Sequence, residues 1–183
     1  AGYFVDTNAS TNQTACALGT YQVSTGQSSC DDADAGYYVD TNASATQTAC
    51  VTGTYQSITG QSSCNLADAG YYVDTNASTN QTACPPGTYQ PSIGQSFCID
   101  ADVGNYVDIS ASINQTACLL GTYQSESGQS SCIDADEGYY VGTIGQISQT
   151  ECAAGTYQSN KGQSSCENAS IGYYIDLTGQ TSQ

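Results

Sequence analysis

The sequence predicts a small, disulfide-rich, mainly β protein, an elongated tandem array of 34-residue units that each contain two short hairpins. Three observations carry this prediction. The cysteines recur at fixed intervals, two glycine-led motifs recur with the same period, and Ser, Thr, Gly, Asn and Tyr dominate between them. A fixed period of about 20 to 50 residues is typical of arrays whose units contact mainly their neighbours.

The cysteine spacing defines the period. A short interval and a longer interval alternate strictly along the chain, so every second cysteine closes one 34-residue repeat. The ten positions are Cys16, Cys30, Cys50, Cys64, Cys84, Cys98, Cys118, Cys132, Cys152 and Cys166.

Two motifs divide each unit into halves. GTYQ begins at positions 19, 53, 87, 121 and 155, and GYYV or a near variant begins at 2, 36, 70, 104, 138 and 172. The two series are offset by half a period, which indicates an old duplication, and we call the halves the GTYQ half and the GYYV half. Residues 1–183 are therefore predicted to form one continuous array, with units at 19–52, 53–86, 87–120, 121–154 and a partial 155–183.

The same period also occurs in tetratricopeptide helical pairs. Such helices need apolar residues at i, i+3, i+4 and i+7, whereas these units are rich in residues that favour strands and turns. In the GTYQ half, residues 20–23 and 27–30 are predicted to pair around Gly26. In the GYYV half, residues 37–40 and 46–50 are predicted to pair around a longer bend.

Units this small need covalent support, because a domain below about 40 residues rarely buries enough apolar surface to fold alone. We predict the pairs Cys16–Cys30, Cys50–Cys64, Cys84–Cys98, Cys118–Cys132 and Cys152–Cys166, which use all ten cysteines. The alternative register, Cys30 with Cys50 and onward, leaves Cys16 and Cys166 unpaired. Zinc is disfavoured because its sites use shorter cysteine spacings and often His, and this chain has no His.

Tyrosine supplies most of the large side chains, with 15 in the chain. One recurs beside each predicted disulfide, so tyrosine is predicted to form the core, with its ring over the disulfide and its hydroxyl in water. A binding ladder of aromatic rings is the alternative interpretation.

Composition excludes several classes of function. The chain has no His and one basic residue, Lys161, which leaves few groups for general acid–base catalysis near neutral pH, so we expect no enzyme and no cofactor. A formal charge of -16 excludes nucleic acid, whose phosphates are bound by Lys and Arg. No apolar run approaches the about 20 residues that a membrane-spanning helix needs, so membrane insertion is not expected. With no leader visible, we expect a mature chain or a fragment of a longer array.

The run Cys84-Pro85-Pro86-Gly87-Thr88-Tyr89, followed by a Gly- and Ser-containing turn and Cys98, resembles the ephrin-receptor-like cysteine-rich repeat. The first module of tumour necrosis factor receptor domains is similar. The pattern recurs five times, and in these families the two cysteines of the loop are joined, which agrees with the predicted pairing. The family usually places another Cys where Ala33 stands, so half of the usual cysteines are missing. The resemblance implies an extracellular module and no particular ligand site.

Seven N-x-S/T sequons predict N-linked glycans on a chain that passes through a eukaryotic secretory pathway. Six of them lie in GYYV halves, so the glycans are expected on one side of the repeat. The sequon residues are Asn8, Asn12, Asn42, Asn76, Asn80, Asn114 and Asn168.

Aspartates also recur in phase, such as Asp34 with Asp40 and Asp68 with Asp74. Calcium could bridge them, but the set is incomplete, and an Asp before a Gly turn more often accepts a local backbone hydrogen bond. We therefore assign no metal site, and calcium remains an alternative.

These features predict a structural, non-catalytic component of an extracellular, glycosylated fibril or cell-surface coat, which would self-associate or continue end to end. The nearly identical repeats and the sequons carry this prediction. The alternative is a stalk or ligand-binding ectodomain segment of a cell-surface receptor or adhesin. A binding unit should differ from its neighbours, and the deviations are mild, such as Phe97, Asn105 and residues 126–137.

Overall fold

The computed structural model describes residues 1–5 and 12–183, and these form a mainly β tandem array of two-stranded antiparallel hairpins. The first strands begin at Tyr3, Thr20 and Tyr37 and then at every seventeenth residue, so both halves of each unit build the same element. The prediction of two short hairpins per 34-residue unit is confirmed.

The GYYV halves form five hairpins. These are β1 (Tyr3–Phe4) with β2 (Thr14–Ala15), β5 (Tyr37–Tyr38) with β6 (Thr48–Ala49), β9 (Tyr71–Tyr72) with β10 (Thr82–Ala83), β13 (Asn105–Tyr106) with β14 (Thr116–Ala117), and β17 (Tyr139–Tyr140) with β18 (Thr150–Glu151).

The GTYQ halves form the other five. These are β3 (Thr20–Tyr21) with β4 (Asp31–Asp32), β7 (Thr54–Tyr55) with β8 (Asn65–Leu66), β11 (Thr88–Tyr89) with β12 (Ile99–Asp100), β15 (Thr122–Tyr123) with β16 (Ile133–Asp134), and β19 (Thr156–Tyr157) with β20 (Glu167–Asn168).

The predicted strand pairing in the GTYQ half is wrong in its return strand. Tyr21 pairs with Asp31, beyond Cys30, and the segment 27–30 is not a strand. The reason is a side chain. Buried Gln22 donates from Nε2 to Ser29 O at 3.0 Å and accepts at Oε1 from Ser24 N at 3.0 Å, so it holds the loop open where a tight hairpin was expected.

The chain divides into two compact units, residues 1–83 with 92–98 and residues 84–91 with 99–183. In the first unit, backbone bonds join successive hairpins: Gly36 N donates to Gln56 O at 2.7 Å and Val39 N to Gln61 O at 3.0 Å. In the second unit, Gly104 N donates to Gln124 O at 2.7 Å in the same way. These donors and acceptors lie in successive halves. The bonds between them therefore stabilise the hairpins, each of which is too short to persist alone.

The core consists of Cys, Ala, Val and Gln side chains rather than tyrosine. In the first unit, Cys16, Ala33, Cys50 and Ala67 form one buried series that recurs every half period, and Gln22, Val39, Gln56 and Val73 form a second. The second unit repeats both series. The tyrosines of the GTYQ motifs are only half-buried, so the prediction of a tyrosine core is wrong. Successive 34-residue units approach closely, since a Cβ placed on Gly36 would lie 2.2 Å from Ala77 O.

Each disulfide closes the loop that contains a GTYQ motif, from a cysteine at the end of the preceding GYYV half to one in the GTYQ half. Four bonds link cysteines 14 residues apart, with Cα atoms 5.7 to 5.8 Å from each other. They are Cys16–Cys30, Cys50–Cys64, Cys118–Cys132 and Cys152–Cys166. Cys84 and Cys98 are also disulfide-bonded, and no cysteine in the described residues is free.

Candidate functional site

A shallow groove beside the disulfide recurs in the array and is the candidate site. Its first copy lies in the first unit, has a volume of about 390 Å³, and is lined by Tyr38, Val51, Thr54 and Cys64 together with Asp40, Ser62 and Ser63. We call it and its copies the tyrosine grooves. The GYYV half supplies Tyr38, Asp40 and Val51, and the following GTYQ half supplies the other walls.

The second unit contains two further tyrosine grooves in the same register. Tyr106, Leu119, Thr122 and Cys132 line one of about 270 Å³. The other, of about 300 Å³, is lined by Tyr140, Ala153, Thr156 and Cys166, with Glu151 and Ser165. Since the corresponding lining residues are separated by whole repeat periods, the groove is a property of the repeat.

The burial of its lining residues makes the groove wall partly apolar. The first cysteine of each pair lies in the core, with Cys50 fully buried, whereas its partner Cys64 is half-buried. Val51 is 62% exposed at the rim. The groove therefore offers an aromatic ring, an aliphatic side chain and a disulfide edge, with the hydroxyl of Thr54 and the carboxylate of Asp40 at its margin. Such a surface can bind a ligand with an apolar face and a few hydroxyl or amide groups.

Asparagines of the sequons that fall in the described residues are all exposed, at Asn12, Asn42, Asn76, Asn80, Asn114 and Asn168. Asn8 lies outside the described residues. One of them is bound to the preceding 34-residue unit, because Thr52 N donates to Asn76 Oδ1 at 3.1 Å. Thr52 follows Val51, which lines the first tyrosine groove. Sequence reasoning did not find this contact, since the two residues lie in successive 34-residue units.

Three of the in-phase aspartates accept a hydrogen bond from a glutamine side chain 13 residues further along the chain. Gln47 Nε2 donates to Asp34 Oδ2 at 2.6 Å, and Asp34 N donates to Gln47 Oε1 at 2.6 Å. Asp68 with Gln81 and Asp102 with Gln115 repeat the arrangement. Within residues 1–5 and 12–183, no group of three or more His, Cys, Asp or Glu side chains could hold a metal ion.

Charged contacts cluster in the second unit. Lys161 Nζ lies 3.0 Å from Asp136 Oδ1, with both side chains more than half exposed, at 60% and 51%. The bond from Gln149, and then Lys161, lowers the pKa of Asp136, and Asp136 raises the pKa of Lys161. Tyr139 Oη donates to Glu151 Oε1 at 3.0 Å, which raises the pKa of Tyr139.

A comparison with known families bears on these repeats. Residues 70–118 match the family described as tyrosine-protein kinase ephrin type A/B receptor-like. The cysteine-rich repeat is ephrin-receptor-like. Its GTYQ motif and the disulfide-bonded Cys84 and Cys98 fall inside the match, and the same motif and cysteine spacing recur on both sides of it. No curated protein matches the chain.

The ephrin-receptor-like match and the disulfides together indicate an extracellular, receptor-like ectodomain segment. Repeats of this type are non-catalytic. Among the described residues, no helix is both long and apolar enough to cross a membrane.

Proposed function

We propose that the chain is a structural, non-enzymatic segment of an extracellular glycosylated fibril or cell-surface coat. The observation that carries the proposal is the repetition of the bonds between halves. The bond from Gly36 N to Gln56 O recurs two repeat periods later, within the second unit, from Gly104 N to Gln124 O, and both are 2.7 Å long. In a structural fibre or coat every repeat has the same role, so no repeat needs a specialised site.

Surface chemistry supports the same role. The described sequon asparagines are exposed, so glycans can be attached without displacing the core. A net charge of -16 keeps separate copies apart except where specific contacts bind them. Self-association through defined surfaces and covalent glycans are therefore the partners that we propose.

A second candidate function is a stalk or ligand-binding ectodomain segment of a receptor or adhesin. The match at residues 70–118 favours it, and so do the tyrosine grooves, which could accept a partner's side chains. This candidate requires a partner on another molecule, whereas the fibril or coat requires copies of the chain close to one another.

Immunogold electron microscopy of unreduced material from the source organism separates the two. An antibody raised against the full chain should decorate filaments or a continuous surface layer at regular, dense intervals, and preadsorption with the antigen should abolish the labelling. Sparse labelling of single molecules at the plasma membrane, with no fibre or layer, would contradict the proposal and favour the receptor segment.

A further inference from the structure

We infer that the first N-acetylglucosamine linked to Asn76 docks in the tyrosine groove formed by Tyr38, Val51 and Thr54. The inference rests on the glycosylation in the proposed function and assigns to the groove a ligand carried by the same chain. Both the asparagine and the groove lie in the first compact unit.

Asn76 lies beside the rim of the groove. Its side chain is exposed, and its Oδ1 accepts a hydrogen bond of 3.1 Å from Thr52 N. That bond fixes the carboxamide next to the residue that follows Val51 at the groove rim. With Oδ1 engaged, Nδ2 is the amide atom left for the sugar. A glycan on Nδ2 therefore starts beside the groove.

The chemistry of the groove carries the second step. An N-acetylglucosamine ring has an apolar face of C–H groups, which suits the half-buried ring of Tyr38 and the aliphatic side chain of Val51. Its hydroxyl and acetamide groups can bond to Thr54 and Asp40 at the margin. The volume of about 390 Å³ is near the lower end of small-molecule sites, so it suits one sugar and not a branched glycan.

Comparison of the repeats carries the third step. The position equivalent to Asn76 beside the groove of Tyr106 and Leu119 is Ile144, and beside the groove of Tyr140 and Ala153 it is Thr178. Neither can accept an N-linked glycan. Of these three grooves, only the groove of Tyr38 has a sequon at this neighbouring position. It is also the largest of the three.

The modification itself uses a lipid-linked sugar donor of the secretory pathway. Asn76 Nδ2 forms a bond to the anomeric carbon of N-acetylglucosamine, while the bond from that carbon to the donor's pyrophosphate breaks. The lipid pyrophosphate leaves with the electron pair, and the amide proton is released. No oxidant or reductant takes part.

The test uses the full chain secreted from a eukaryotic cell line that makes high-mannose glycans, trimmed enzymatically to one N-acetylglucosamine at each site. In NMR spectra, one set of N-acetylglucosamine resonances should be shifted upfield by the ring of Tyr38. The shifted set should disappear in Asn76→Gln and in Tyr38→Leu, and it should remain in the matched control Tyr106→Leu. An unshifted set, or a shifted set that survives Tyr38→Leu, would overturn the inference.

A second measurement needs no substitution in the groove. Complete enzymatic removal of the glycans converts a glycosylated Asn76 to Asp, and the ring proton resonances of Tyr38 should then move while those of Tyr106 stay in place. Unchanged Tyr38 resonances would overturn the docking.

Peptide mapping of the same material distinguishes a failure of the docking inference from a failure of the proposed glycosylated coat. If other sequons carry glycans and Asn76 does not, the docking inference fails and the glycosylated coat stands. If no sequon is occupied, both fail.

Discussion

Gln47 binds Asp34 through two hydrogen bonds of 2.6 Å, one to the carboxylate Oδ2 and one from the backbone N. Gln47 lies half a repeat period after Cys30, and Ala33 lies half a period after Cys16. The loop that contains a GYYV motif is therefore closed by a pair of hydrogen bonds, where the loop that contains a GTYQ motif is closed by a disulfide. In the resembling families a further cysteine stands at the position of Ala33, so this chain replaces half of its covalent links with hydrogen bonds.

We predict that Ala33→Cys combined with Gln47→Cys forms a new disulfide. The Cys16 and Cys30 Cα atoms lie 5.7 Å apart, and the substituted positions occupy the same places in the other half. Closing a loop of about 15 residues stabilises by about 3 kcal/mol, and losing two hydrogen bonds costs about 1 kcal/mol each, so a net gain of about 1 kcal/mol is expected. Urea unfolding measures it, with each single cysteine variant as a control.

A new disulfide at Ala33 and Gln47 also lowers the mass by about two hydrogens and leaves no thiol for maleimide. Two thiols that both react with maleimide in the folded double variant would contradict the equivalence of the two halves.

Gly36 should tolerate no side chain. Its φ is +86°, and a Cβ placed on it would lie 2.2 Å from Ala77 O. Gly26 has a similar φ of +76° but nothing within 4 Å of the added atom. We expect Gly26→Ala to lower the unfolding free energy by about 1–2 kcal/mol from backbone strain alone. Gly36→Ala should lower it by at least about 2 kcal/mol more, because the neighbouring unit must move. Equal losses of unfolding free energy in Gly26→Ala and Gly36→Ala would show that successive units are not in close contact at Gly36.

Ala77 occupies the left-handed region at φ 56°, where the corresponding position of a later GYYV half is Gly145. Ala77→Gly should therefore raise the unfolding free energy by about 0.5–1 kcal/mol, since relief of strain exceeds the added entropy of the unfolded chain. The N-x-S sequon of Asn76 survives the change. Ala83→Gly, in strand β10, is the control and should be destabilising. A destabilised Ala77→Gly would contradict this backbone conformation.

Stability should fall in acid through Asp136. Its pKa lies below the ordinary value of 3.8, because Gln149 and Lys161 bond to the carboxylate. The contribution is thus fully present above pH 3.8 and is lost as the pH falls through the lower folded-state pKa. The unfolding free energies of wild type and Asp136→Asn should converge in acid. Glu126→Gln is the control, and parallel curves for wild type and Asp136→Asn would contradict the prediction.

The sequence predicts the GYYV hairpins well because their first strands are apolar and aromatic and their bends contain turn residues. It misplaces the return strand of the GTYQ half because Asp31 and Asp32 have low strand propensity. That strand is positioned by the buried Gln22 carboxamide and by backbone bonds to the next half, and neither is visible in local composition.

The core and the candidate site were harder to predict than the repeat. A core of cysteine and alanine is visible in the sequence only as the half-period recurrence of Cys16 and Ala33, which the large number of tyrosines obscures. The tyrosine groove combines Tyr38 with Val51 and Cys64, which belong to two different halves. Their proximity depends on how the halves stack, and a linear pattern does not encode that distance.

Non-reducing peptide mapping by mass spectrometry, on the chain isolated from its source with free thiols blocked at the moment of lysis, tests the central claim most directly. The account predicts linked peptides for Cys16–Cys30, Cys50–Cys64, Cys118–Cys132 and Cys152–Cys166, and no blocked thiol. Blocked thiols throughout, or links such as Cys30–Cys50, would contradict a stapled repeat that works outside the cell.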